Sequence, residues 1–140
     1  MNQTKNEATS ETTQVLPTSI PTTRVLAMPA DTNTAGDIFG GWIMSQVDIA
    51  ASVVAHRHAG TRAVTVAVNS FQFKKPVYVG DLISCYAVVK KVGNTSITVF
   101  VEVYAERDRQ QLEVVKVTEA TLTFVAIDKD GKPQKVRALG

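Results

Sequence analysis

The sequence predicts an α+β domain in which one long central helix is wrapped by a curled antiparallel sheet of about five strands. After Gly41 no Pro or Gly interrupts the chain as far as His58, and Trp42, Ile43, Met44, Val47, Ile49, Ala50, Ala51, Val53 and Val54 cover most of a helical wheel. A helix apolar nearly all round belongs inside a protein. Beyond Gly60 the pattern changes to a period of two, carried by β-branched residues and cut by turn-forming ones. With 140 residues in total, these elements have to share one core.

Taken in order, residues 1–19 read as a polar leader that cannot bury enough apolar surface to offset its ordering entropy, and disorder is expected there. Glu7 and Glu11, with no Arg before Arg24, argue against an organelle transit peptide. The folded domain is placed at 20–131. Residues 22–28 suit a first strand ended by Pro29, and the Asp, Asn, Thr and Gly of 30–41 make a structured loop leading into the helix. Val64, Val66 and Val68 alternate with Thr65 and Asn69, and the strand continues through Phe71 and Phe73 to Pro76. Segments 81–92, 95–107 and 112–127 are three further strands, with Gly93-Asn94 and 107–111 as hairpin turns. Asp128-Lys129-Asp130-Gly131 is a turn, and 132–140 is expected to be a loose tail.

Charge and composition remove several classes of function. A formal charge of +2 with scattered Lys and Arg lacks the dense runs of a nucleic-acid arm, so no nucleic-acid partner is expected. The longest apolar stretch is broken by Ser45, Gln46, Asp48 and Ser52 and cannot span a membrane. Cys85 is the one cysteine, which allows no internal disulfide and suits a reducing cytoplasm. Within a strand pattern it reads as a small core residue. His56 and His58 are two apart and make no metal pair, and Asp128-x-Asp130-Gly131 lacks the glycine offset and terminal Glu of a calcium loop, so no metal is expected.

Asp48 is the residue most in need of explanation. Its helical neighbours are apolar, no Lys or Arg lies one turn away, and only Ser45 and Ser52 share its face. It is either a reactive carboxylate or a structural one paired with a Lys from elsewhere. Gly40-Gly41 opens the same helix. There a substrate carbonyl could approach free backbone N–H groups at the positive end of the helix dipole, although a tight turn is the commoner meaning of Gly-Gly. Gly41 and Asp48 are seven residues apart, about 10 Å along the axis. One chain can hardly bring both to one carbonyl, but two antiparallel helices in a dimer could. A dimer would also cover the helix and the sheet edge that one copy leaves exposed.

The run from Arg24 to Asp48, with Asp31-Thr32-Asn33-Thr34-Ala35-Gly36-Asp37-Ile38-Phe39-Gly40-Gly41-Trp42 at its centre, resembles the signature of bacterial YciA-type acyl-CoA thioesterases of the hotdog superfamily. The resemblance continues through Val64-Thr65-Val66-Ala67-Val68, residues 73–81 and Val92-Gly93-Asn94-Thr95-Ser96, and covers about residues 22–130. It implies a hotdog fold, a homo-oligomer that is a dimer or a trimer of dimers and often hexameric, and hydrolysis of acyl-CoA without a cofactor. It also implies Asp48 as catalytic aspartate, Gly41 as the oxyanion glycine and Asn33 as the assisting loop asparagine. Many relatives carry Arg or Lys after the hairpin glycine, where this chain has Asn94. For the phosphates of coenzyme A the expectation therefore falls on Lys90 and Lys91, with Gly93, Asn94, Thr95 and Ser96 as neighbouring donors. Two rivals stand beside this. A hotdog dehydratase needs a loop His, and 30–41 has none. A non-catalytic acyl-CoA-binding module would gain from an apolar residue at 48.

Overall fold

The computed structural model describes residues 14–108 and 110–139. Strand β1 (Thr23–Leu26) is followed by a 3-10 turn at Pro29–Asp31, helix α1 (Gly40–Ala59), and strands β2 (Arg62–Phe73), β3 (Leu82–Val92), β4 (Ser96–Asp108) and β5 (Leu112–Ile127). The sheet runs in the order β1-β3-β4-β5-β2 with every neighbouring pair antiparallel. The two hairpins β3–β4 and β4–β5 make its middle, and β2 crosses over to the far edge. This is the hotdog arrangement.

The core lies between α1 and the concave face of the sheet. Ile43, Val47, Ala50, Ala51 and Ala55 of α1 are buried against Ile83, Cys85, Val99, Val101, Val117, Leu122 and Phe124. The small alanines let the helix lie close to the strands. Each large residue of this set contributes about 1.5–3 kcal/mol by leaving water. Gly60, with φ +68°, ends the helix in the left-handed conformation, and its N–H meets the His56 carbonyl at 2.9 Å.

The sheet covers only one face of α1. Met44 and Ile49 on the opposite face remain about half exposed, so within one chain the helix is not buried all round as its composition suggests. Nearby, β2 is an open edge carrying exposed Val64, Val66 and Val68.

Strand β2 also departs from simple alternation. Against β5, Thr65 pairs with Phe124, Ala67 with Thr123, Val68 with Leu122 and Ser70 with Thr121. Val66 and Asn69 are thus extra residues, two β-bulges in one strand. Each bulge shifts the alternation by one, so Thr65, Val68 and Phe71 all face α1.

The described residues near both ends depart from expectation. Residues 1–13, expected to be disordered, lie outside those described. From Gln14 the leader is attached: the Gln14 N–H donates to the Val114 carbonyl at 2.6 Å, and Leu16 packs on Tyr86, Tyr104 and Val114 on the outer face of the sheet. The tail is not loose either. Pro133 bridges to Ile127, the Gln134 N–H donates to Ala126, the Val136 N–H donates to Asn94, and the Val136 side chain is buried. One apolar side chain and a set of backbone bonds outweigh the polar composition.

A buried ion pair holds the β2–β3 connection. The Arg107 guanidinium donates through Nε to both Asp81 oxygens at 3.0–3.1 Å and through Nη2 to the Pro76 carbonyl at 2.7 Å, and it stacks 4.6 Å from the Tyr78 ring. Asp81 is 1% exposed, so removing Arg107 would strand a buried charge. Among the described residues no helix is long and apolar enough to cross a membrane.

Candidate active site

Two clefts open beside α1. The first, about 420 Å³, lies at the start of the helix and is lined by Asn33, Gly40, Phe73, Lys75 and Pro76 among others. Its loop is organised by Asn33, whose side-chain oxygen accepts the N–H groups of Ala35 at 2.9 Å and Asp37 at 3.1 Å. This is the Asx geometry that asparagine favours. Because Asp37 and Ile38 lead straight into α1, Asn33 sets where the helix begins.

The two glycines there differ. A Cβ on Gly40 would come 3.2 Å from the Phe73 ring, a tight contact that the ring would have to relieve by moving a few tenths of an ångström. A Cβ on Gly41 would meet nothing within 4 Å. Packing within this chain gives no reason for glycine at 41, and a group from outside the chain would. Phe39 provides no side-chain cap, and its carbonyl receives the N–H groups of Trp42 and Ile43, whereas no acceptor meets the Gly41 N–H among the described residues. That donor is free at the positive end of the helix.

The second cleft, about 290 Å³, is lined by Met44, Ser45, Asp48, Thr65, Val68, Phe71 and Leu122. Asp48 is half-buried, and its Oδ1 accepts a hydrogen bond from the Thr65 hydroxyl at 2.7 Å. The two serines that share its helix face do not serve it: Ser45 donates to the Gly41 carbonyl and Ser52 to that of Ile49. Thr65 is the residue that sequence reasoning missed. Alternation put it on the face opposite Val68, and only the bulge at Val66 brings the two together.

Asn33 and Gly40 thus line one cleft and Asp48 the other, with Gly41 next in the chain to Gly40. The remaining predicted residues lie elsewhere. Lys90 rests 5.4 Å from the Phe100 ring and Lys91 is exposed. Gly93, Asn94, Thr95 and Ser96 form the tight β3–β4 turn, closed by the Gly93 N–H on the Ser96 carbonyl at 2.8 Å. The carbonyls of Asn94 and Thr95 accept the N–H groups of Val136 and Ala126. Cys85 is fully buried and its thiol is pushed up to about 11 by that burial, which makes it inert as a nucleophile. His56 bonds the Ser52 carbonyl and His58 that of Arg137. No cluster of three or more His, Cys, Asp or Glu side chains suited to a metal occurs among the described residues. Asp128 closes its turn by accepting the Asp130 and Lys132 N–H groups.

A carboxylate held by a hydroxyl beside an apolar pocket, with a free helix N-terminus in a neighbouring cleft, suits acyl transfer. The sequence profile of the Thioesterase superfamily matches residues 35–112, the span that holds both Gly41 and Asp48. The chain belongs to that superfamily. Acyl-CoA thioester hydrolase YciA of Salmonella typhimurium is 47% identical over 84% of this chain and 90% of its own. A hexameric hotdog fold thioesterase of Campylobacter jejuni superposes with TM-score 0.82 at 46% identity, covering 85% of this chain and 91% of its own. An acyl-CoA hydrolase of Staphylococcus aureus superposes with TM-score 0.77 at 32% identity, covering 84% and 72%. It has been solved with an aspartate replaced by alanine and, separately, with a threonine replaced by alanine. The two altered positions are seventeen apart, which is the separation of Asp48 and Thr65.

Proposed function

We propose that this thioesterase hydrolyses acyl-coenzyme A to a carboxylic acid and coenzyme A, at sites shared between two copies of the chain. The observation that carries the reading is the Thr65–Asp48 hydrogen bond of 2.7 Å at the mouth of an apolar-walled cleft. The thioester carbonyl sits against the Gly41 N–H of one copy, near Asn33. Asp48 of the other copy acts on the carbonyl carbon. The Thr65 hydroxyl occupies Oδ1 and orients the carboxylate, leaving Oδ2 to take a proton from the attacking water. The thiolate leaves as a tolerable anion, so no strong general acid is needed. The acyl chain lies along Met44, Val68, Phe71 and Leu122.

Two features support sharing between copies. Gly41 and Asp48 stand about 10 Å apart on one helix, too far to meet at one carbonyl. The uncovered face of α1 and the valine-bearing edge of β2 adjoin one another, and two antiparallel β2 strands would join two sheets while burying both. We propose a dimer as the unit of activity and a trimer of dimers as the assembly; the Campylobacter relative is a hexamer. No cofactor enters this chemistry.

A panel of acyl-CoA substrates of increasing chain length, with released thiol as readout, tests the activity. Thiol release from none of them by the folded oligomer would sink the proposal. Single-turnover hydrolysis in ¹⁸O water tests the step itself. Label in the Asp48 carboxylate means that it attacks the carbonyl and forms a mixed anhydride opened at its own carbon, whereas label confined to the product acid excludes that route.

A further inference from the structure

The tail was expected to be loose, yet it is built into the molecule at one specific place. Its Val136 N–H donates to the Asn94 carbonyl at 2.8 Å, and the His58 Nε2 meets the Arg137 carbonyl at 3.0 Å. Three parts of the chain therefore come together there: the β3–β4 turn, the last turn of α1 and the tail. Val136 is buried, whereas Lys135 and Arg137 on either side of it are exposed. Neither has a carboxylate within ion-pair distance among the described residues. Beside them opens a cavity of about 300 Å³ lined by His58, Arg137, Ala138 and Leu139.

We infer that residues 135–139 form the seat for the phosphate-bearing nucleotide end of coenzyme A, with Arg137 and Lys135 as the cations that hold it. This rests on the acyl-CoA reading above. It also answers the departure at Asn94. The turn has no cation of its own at that position, but the Asn94 carbonyl anchors a segment that brings two. Lys90 is less suited, being held over Phe100. The spacing agrees as well. Asp48 and His58 are ten residues apart, about 15 Å along α1. The pantetheine arm between sulfur and pyrophosphate is also about 15 Å when extended, at the spacing of backbone atoms. Arg137 offers the planar pair of donors that phosphate oxygens accept, and Lys135 adds a second charge.

The test is steady-state kinetics of the oligomer carrying Lys135→Gln and Arg137→Gln, with Val136 kept so that the tail stays docked. Two substrates with the same acyl group are compared: acyl-CoA, and acyl-pantetheine, which has no phosphate. For acyl-CoA, KM should rise roughly tenfold or more, with a shallower dependence on salt, while kcat falls far less. Acyl-pantetheine kinetics should follow the unaltered protein. Adenosine 3′,5′-bisphosphate should inhibit the unaltered protein competitively and lose about the same factor of affinity in the variant. Arg137→Lys should recover part of the loss. An unchanged KM for acyl-CoA would overturn the inference. So would an equal change with both substrates, which would mean that the tail acts on the fold rather than on phosphate. If the unaltered protein hydrolysed neither substrate, the thioesterase reading would fall first and this inference with it.

Discussion

The cleft at the start of α1 is built from backbone, whereas the cleft beside Asp48 is built from side chains. The first lies at the helix start, beside the free N–H of Gly41, and its loop is tied by Asn33, with Asp37 as the one carboxylate of its lining. The second offers a carboxylate, a hydroxyl and an apolar wall, yet no helix N-terminus points into it. On the shared-site proposal a monomer should be inactive, because the groups that would stabilise the oxyanion and activate the nucleophile lie on surfaces of one chain that become neighbours only when a second chain is added.

The largest effect should come from the side-chain half. Asp48→Asn keeps the shape but removes the charge and basicity, so kcat should fall by about 10²-fold or more while the oligomer persists. Near-normal turnover by this variant would refute the role given to Asp48. Mixing Asp48→Asn subunits with subunits carrying a bulky residue at 41 should restore part of the activity once exchange is shown by mass labelling, because one composite site in the mixed dimer is intact. No recovery despite exchange would mean that the two clefts do not combine.

Thr65→Val removes the hydroxyl that orients Asp48. The lost bond to a charged group corresponds to roughly 1.5–3 kcal/mol, so kcat/KM should drop about tenfold or more, with a smaller loss for Thr65→Ser. If valine and serine behaved alike, the hydroxyl would have no part in the reaction.

The backbone half gives an opposite sign. Gly41→Ala meets no obstacle within the chain and should raise stability by about 0.4–1 kcal/mol in thermal unfolding while lowering turnover, because the new methyl group crowds the incoming carbonyl. Lower stability would show that the open space at 41 is filled by the partner chain rather than by substrate.

The smallest effect is expected on the outer face of the sheet, at a pair to which no part in the reaction is given. The Lys116 ammonium, 3.0 Å away, holds the Glu119 carboxyl below its usual range. A depressed value stabilises the fold above the unfolded-state pKa, and that contribution is lost as pH falls through the folded value. Glu119→Gln should therefore cost about 0–1 kcal/mol at neutral pH, and the gap from the unaltered protein should close on acidification, with turnover unaffected. A gap that widened in acid would reverse the assignment.

Local pattern decided much of this protein. The apolar wheel after Gly41 and the period-two runs after Gly60 correspond to α1 and four strands, with ends displaced by only a few residues, because periodicity records which face each residue must bury. Asp48 stood out for the same reason, as a charge on an apolar helix. Three features were beyond such a reading. Thr65 reaches Asp48 because Val66 and Asn69 bulge out of the ladder, and a bulge is set by how β2 registers on β5, not by the strand's own alternation. The buried Asp81–Arg107 pair joins residues twenty-six apart across a hairpin. The tail docks because Val136 finds a pocket made by distant segments, although its own composition is polar. The sequence by itself determined the elements and their buried faces, since each depends on neighbours a few residues away. Only the tertiary structure decided which side chains meet, because those contacts depend on register and closure between elements far apart in the chain.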